Sequence, residues 1–272
     1  MKSPSIVDGL NEKQQQSVVL SEDINALILA GAGSGKTRVL THRIHYLVSI
    51  KNHHVDDILA VTFTNKAANE MKERLSDLLR RPIGRMWVGT FHSLAHRLLR
   101  THPMEANLSP TFQILDAQDQ FRIIKRLMKE NGVDETKFPI KKVQWFINQQ
   151  KDEGILPHEI DAGYNYFVKQ SAKVFELYEK HCQVNDLVDF AGLLVKSYEL
   201  LKNNQSLLEH YQKKFRHILV DEFQDTNRIQ YQFIKILHNQ SNHVFCVGDD
   251  DQSIYGWRGC LLYTSPSPRD RG

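Results

Sequence analysis

The sequence predicts an α/β fold in which a parallel sheet, covered by helices on both faces, is interrupted by a helical insertion. Five short apolar runs carry this reading: residues 25–30, 58–64, 86–91, 217–223 and 243–249, rich in Val, Ile, Leu or Phe. Helical stretches separate them, and near-continuous apolar strands alternating with helices imply a sheet buried on both sides. The long interval 92–211 reads differently. It has helical spacing in LAHRLLR, DQFRIIKRLMKE, KVQWFINQQ, AKVFELYEKH and FAGLLVKSYELLKN, Asn, Gly and Pro breaks, and no convincing strand. The chain is expected to leave the sheet after its third strand, build an all-helical subdomain, and return.

Composition bounds the function classes. With 272 residues, 41% hydrophobic and 25% charged, the chain has the balance of a globular protein of one large or two ordinary domains. No apolar run approaches the length of a membrane helix. The N-terminus, MKSPSIVDGLNEKQQQ, lacks the apolar centre of a secretory signal, so the expected compartment is the cytoplasm. Cys182, Cys246 and Cys260 are scattered singly, as free thiols rather than a disulfide framework or zinc site, and Cys246 in HVFCVGD reads as a core residue. Net charge is only +3, but between Lys66 and Arg100 eight Lys or Arg face three acids. Such a stretch can bind phosphate backbones or simply face solvent.

The first apolar run opens into AGAGSGKTRVLTHRI at residues 30–44. Gly31, Gly33 and Gly35 permit positive φ and let backbone N–H groups close around phosphate oxygens. Lys36 can reach the β- and γ-phosphates, the Thr37 hydroxyl can ligate Mg²⁺, and the following helix aims its positive end at the same anion. Ala30 stands where the strict pattern has glycine. The fourth run, HILVDEFQD, delivers two acids at its end. Asp221 pairs with Thr37 as the expected metal holders, while Glu222 is positioned to orient and deprotonate an attacking water. Ligands of parallel sheets gather at the carboxyl ends of the strands, where all these motifs fall.

The segments AGAGSGKT, VTFTNKAANEM, GTFHSLAHRLLR, VDEFQDTN and VGDDDQSIYGWRG stand in the order and spacing of superfamily 1 DNA helicases. From about Leu10 to Gly259 the chain resembles the UvrD, PcrA and Rep family, with wording nearest the UvrD branch. Ala30 is that family's own habit. The resemblance implies a RecA-like P-loop NTPase domain (1A, residues 1–91 and 212–259) carrying a helical subdomain (1B, residues 92–211). It also implies ATP and Mg²⁺, single-stranded DNA and single-strand/duplex junctions, and 3′-to-5′ unwinding in DNA repair.

Residue by residue, the family's nucleotide contacts fall on Gln14, which reads the adenine edge, on Ala30, Gly31, Ala32, Gly33, Ser34, Gly35, Lys36 and Thr37, and on Arg38, packed on the adenine. Gln224 and Gln252 match residues that sense the γ-phosphate, Gln252 standing with Lys36, Asp221 and Glu222 in the catalytic set. Phe63, Thr64, Asn65 and His92 match positions lining single-stranded DNA, and Tyr255, Trp257 and Arg258 match those on which bases stack. In DLVDFAGLL, Asp189 and Phe190 recur in the family but Ala191 and Gly192 replace further acids, so no chemistry is assigned there. Trp145 and Phe146, at helical spacing with Val143 and Ile147, are expected in the core.

Members of this family hold ATP between two lobes, the second supplying arginines. Residues 260–272, ending LLYTSPSPRDRG, have no counterpart in that pattern and are expected to be non-native sequence. The chain is expected to stop before that second lobe, so as an isolated fragment it is expected to be poorly active or inactive; the alternative to a helicase is an ATP- and single-stranded-DNA-binding module with negligible turnover.

Overall fold

The structure is a computed structural model that describes residues 6–31 and 33–249. Its centre is a five-stranded sheet of β1 (Ala26–Leu29), β2 (Ile58–Thr62), β3 (Trp87–Thr90), β6 (His217–Val220) and β7 (His243–Gly248). The order is β1-β7-β6-β2-β3 and every pairing is parallel. All five lie within the apolar runs read from sequence.

Period-two alternation divides the strands between two cores. Leu59, Val61, Trp87, Ile218, Val220, Val244 and Cys246 face one side, where they meet α4 (Phe91–Thr101), α8 (Phe190–Asn203) and α10 (Arg228–Leu237). Ile58, Ala60, Val88, Leu219, Phe245 and Val247 face the other, against α2 (Lys36–Ser49) and α3 (Asn65–Leu79). With both faces covered, β2 and β6 are buried along their whole length, which is why they read as unbroken apolar runs. A short helix, α1 (Glu12–Val18), is capped by Asn11 and lies against α2.

Between β3 and β6 the chain adds α5 (Ala117–Glu130), α6 (Ile140–Asp152) and α7 (Tyr166–Val184), which share a third core of Ile124, Met128, Val143, Ile147, Phe175 and Tyr178. The flanking α4 and α8, with Tyr211 of α9 (Gln205–Lys214), join the sheet-side core instead. The expectation of an all-helical stretch needs correction. Strands β4 (Gln113–Leu115) and β5 (Leu187–Asp189) pair in parallel, a two-stranded sheet of its own. Three residues are too few to carry a period, so QIL and LVD left no strand signal. Trp145 also departs from its expected place: Val143 and Ile147 are fully buried, but Trp145 is 63% exposed.

At the junction of this bundle with α8 lies a buried ion pair. Lys151 Nζ stands 2.7 Å from Asp189 Oδ2 and 2.6 Å from Glu179 Oε1. Asp189 Oδ2 also accepts from Tyr178 OH at 2.8 Å and Gln120 Nε2 at 2.9 Å, and Oδ1 caps α8 through Gly192 N at 2.6 Å. Burial pulls the Lys151 ammonium down, but Asp189 and Glu179 outweigh it and hold it above its ordinary value. Burial likewise raises the Asp189 carboxyl, and Lys151 with the hydrogen bonds brings it below the usual range. Among the described residues no helix is long and apolar enough to cross a membrane.

Candidate nucleotide site and nucleic-acid face

The loop after β1 turns tightly because Gly33 and Gly35 adopt φ of +74° and +83°. Gly31 is not in the left-handed region, so the positive-φ need read from sequence holds at two of the three glycines. Gly35 is the N-cap of α2, and a Cβ there would stand 2.9 Å from the side-chain nitrogen of Gln14. Gln14 Nε2 donates to Ser34 O at 2.7 Å, so the α1 segment is fastened directly to the loop. The Arg38 guanidinium packs over Gly9 on the same side. Ala32 lies outside the described residues.

Parallel order brings the acids to this loop, because β7 and then β6 follow β1 across the sheet. Thr37 Oγ1 donates to Asp221 Oδ2 at 2.9 Å across a sequence separation of 184 residues. Lys36, 8% exposed, donates to Ala30 O at 3.1 Å and lies 3.6 Å from Asp249 and 3.8 Å from Glu222. Asp221 is 2% exposed. Burial, with the charge of Glu222 beside it, raises its carboxyl although the Thr37 hydrogen bond opposes this.

Glu222 has left the strand. Its φ of +47° and ψ of +46° are left-handed, a conformation of order 1–3 kcal/mol uphill for a residue with a Cβ. That turn, rather than strand alternation, separates Glu222 from Asp221. Gln224 closes the arrangement: its Nε2 donates to Glu222 Oε2 at 2.7 Å and its Oε1 accepts from Asp249 N at 2.9 Å. The role of Asp249, at the end of VGD, was not read from sequence, because adjacency of β7 to β1 is a tertiary fact.

The DNA positions expected from the resemblance divide. Phe63 is partly buried edge-to-face on Phe91, with ring centroids 5.7 Å apart. Thr64 caps α3 through Ala67 N, and it and Asn65 are exposed. His92, on the first turn of α4, lies with its ring 5.3 Å from that of Phe190, which is 59% exposed. Burial holds the His92 imidazole below its ordinary value, leaving it uncharged near neutrality. Both rings open on a cavity of about 410 Å³ that Gln120, Asn148, Asp152 and Asn227 also line. Gln252, Tyr255, Trp257 and Arg258 lie outside the described residues.

A glycine loop closing on a helix N-terminus, with a Thr–Asp pair beneath it and a buried lysine, defines the class: a P-loop nucleoside triphosphate site on a parallel sheet. The chain belongs to the UvrD/REP helicase N-terminal domain family, whose model matches residues 10–264. It is 53% identical over 257 residues to DNA helicase II of Escherichia coli and 52% identical to that of Salmonella typhimurium, in each case covering 94% of this chain and 36% of the relative. It is 42% identical over 259 residues to the ATP-dependent DNA helicase PcrA of Bacillus subtilis, covering 94% of this chain and 35% of the relative. The chain thus spans little more than a third of these relatives' length.

Proposed function

We propose that the chain forms the ATP-binding and DNA-tracking part of a 3′-to-5′ DNA helicase, a single-stranded-DNA translocase of DNA repair acting at single-strand/duplex junctions. The division into 1A (1–91 and 212–259) and 1B (92–211), non-native residues 260–272 and a cytoplasmic, nucleoid-associated location belong to the same reading. Direction and repair role rest on the family resemblance.

The observation that carries it is the hydrogen bond from Thr37 to Asp221, which joins the phosphate loop to the carboxylates. ATP phosphates would lie against the amides opening α2. Lys36 would exchange its contacts with Ala30 O, Asp249 and Glu222 for the β- and γ-phosphates. Gln14 and Arg38, already packed on the loop, would border the adenine. Glu222, held by Gln224, would take the proton of the water that attacks the γ-phosphorus as the bond to the β–γ bridging oxygen breaks.

The hard-oxygen pair of Thr37 and Asp221 fits Mg²⁺, which when bound neutralises charge on the β- and γ-phosphates. Phe63, Thr64, Asn65 and His92 would line the DNA, with Phe190 as an added stacking face. Tyr255, Trp257 and Arg258 would extend it.

Single-turnover ATP hydrolysis with and without single-stranded DNA tests the proposal. DNA-stimulated hydrolysis abolished by Lys36→Ala supports the helicase reading. ATP and DNA binding without turnover would replace it with the binding-module reading.

A further inference from the structure

Trp145 is a large apolar side chain that the core beneath α6 leaves out. On α6 its neighbours Val143, Phe146 and Ile147 supply the third core, while Trp145 stays 63% exposed and the adjoining Lys141 and Lys142 are exposed as well. Exposed tryptophans bury large areas when a planar partner stacks on them, and lysines beside them suit a polyanion. Helical geometry places Lys141, Trp145, Asn148 and Asp152 at intervals of four, three and four residues, one continuous stripe. The far end of that stripe is already accounted for. Asn148 and Asp152 line the cavity onto which His92 and Phe190 open.

Of the acids at that end, Asp189 is neutralised by a cation, while Asp152 and Asp116 keep their charge but have an oxygen engaged by neutral donors. Asp152 accepts from Asn227 Nδ2 at 2.9 Å, Asp189 is paired with Lys151, and Asp116 caps α5 through Gln118 N and Asp119 N.

From this continuity we infer that Trp145 is a further stacking position for single-stranded DNA, with Lys141 and Lys142 beside its phosphates, so that the strand's path runs from the His92–Phe190 face along α6. The inference rests on the DNA-binding reading above and adds to it a contact on the inserted helices. Its ligand is the unpaired base, since an exposed indole face accepts any base without hydrogen-bond readout.

The test measures binding of the 272-residue chain to fluorescent oligodeoxythymidines from about 4 to about 16 nucleotides, a span matching known single-strand site sizes. Trp145→Ala is expected to weaken the longer oligonucleotides on the order of tenfold, as loss of one stacking aromatic does, and to leave the shortest unchanged. Trp145→Phe should restore most of the affinity. Lys141→Gln with Lys142→Gln should flatten the salt dependence of the longer oligonucleotides. Affinity for ATP should not move in any of these variants. Equal binding of Trp145→Ala at every length would overturn the inference, as would a loss confined to blunt duplex. A shift in self-association with unchanged DNA affinity would assign the face to a second copy and also overturn it. If the unaltered chain binds no oligonucleotide, the DNA reading itself fails, whereas binding that is lost in His92→Ala but indifferent to Trp145 for the long oligonucleotides as well as the short would sink only the extension along α6.

Discussion

Replacing Lys151 by Met isolates the buried ion pair at the root of the insertion. Asp189 and Lys151 are 3% and 4% exposed and lie 2.7 Å apart. Removing one partner of such a pair costs roughly 3–5 kcal/mol because a buried charge is left behind. Asp189 would keep three neutral donors, Gln120, Tyr178 and Gly192 N, so the lower end, about 3 kcal/mol, is expected. Asp189→Asn leaves Lys151 with Glu179 as counter-ion and should cost less, about 2 kcal/mol. The double variant should cost less than the sum by at least about 1 kcal/mol, since neither charge then remains unpaired.

Urea unfolding followed by far-ultraviolet circular dichroism measures all three. The pH dependence adds a sign. Asp189 is depressed in the folded protein, so its contribution is present above the unfolded carboxylate value near 3.9 and lost as pH falls through the folded one. Lys151 is raised, so its contribution is full below about 10.4 and lost as pH climbs through its folded value. In Lys151→Met the buried carboxyl loses its cation and rises, so that variant should gain on the unaltered protein as pH falls. A cost under about 1 kcal/mol, strict additivity, or an unchanged acid limb would refute the reasoning.

Asp221→Asn should raise the unfolding midpoint of the nucleotide-free chain near neutral pH while removing Mg²⁺-dependent ATP affinity. The folded carboxyl is raised by burial, so folding favours its proton and the ionised form costs stability as pH rises; an unchanged midpoint in calorimetry would contradict this. Gly35→Ala should cost about 1 kcal/mol or more and weaken ATP binding in titration calorimetry, because φ is +83° and the new Cβ would meet Gln14. Normal affinity would show that the loop tolerates the change. His217 lies 3.1 Å from His53, which pairs with Glu22 at 2.9 Å; burial first, then the charges of His53 and Arg43, push its imidazole down to about 3. The unfolded chain therefore takes up a proton first, and stability should drop between about pH 6.5 and about 3, on the order of a few kcal/mol in full. His217→Gln should flatten that acid limb in urea unfolding, and an equally steep limb would assign the slope to other groups.

Much of this was legible in the chain of residues. Five unbroken apolar runs became five parallel strands, because a strand with both faces covered has no reason to alternate. AGAGSGKT announced a phosphate loop, since glycine is the residue that takes φ near +80° without cost and a Lys–Thr pair opening a helix suits a triphosphate. HILVDEF announced the acids, because carboxylates straight after a buried strand have few other uses. These are local signals, written within a dozen residues each.

What the sequence alone determined, then, was the strands, the loop and the acids. It could not determine their meeting, which depends on strand order: only β1-β7-β6 adjacency sets Thr37 against Asp221 and brings Asp249 to Lys36. Nor could it separate Trp145 from Phe146, since adjacent apolar residues on an amphipathic helix straddle the boundary of the buried face and only the packing of α5 and α7 fixes where it falls. Strands of three residues, the left-handed turn at Glu222 and the five-centre cluster of Lys151, Asp189, Glu179, Tyr178 and Gln120 are likewise products of tertiary structure. The strand pair and the cluster join residues far apart in sequence, Gln113 with Leu187 and Lys151 with Asp189, and no local pattern records them.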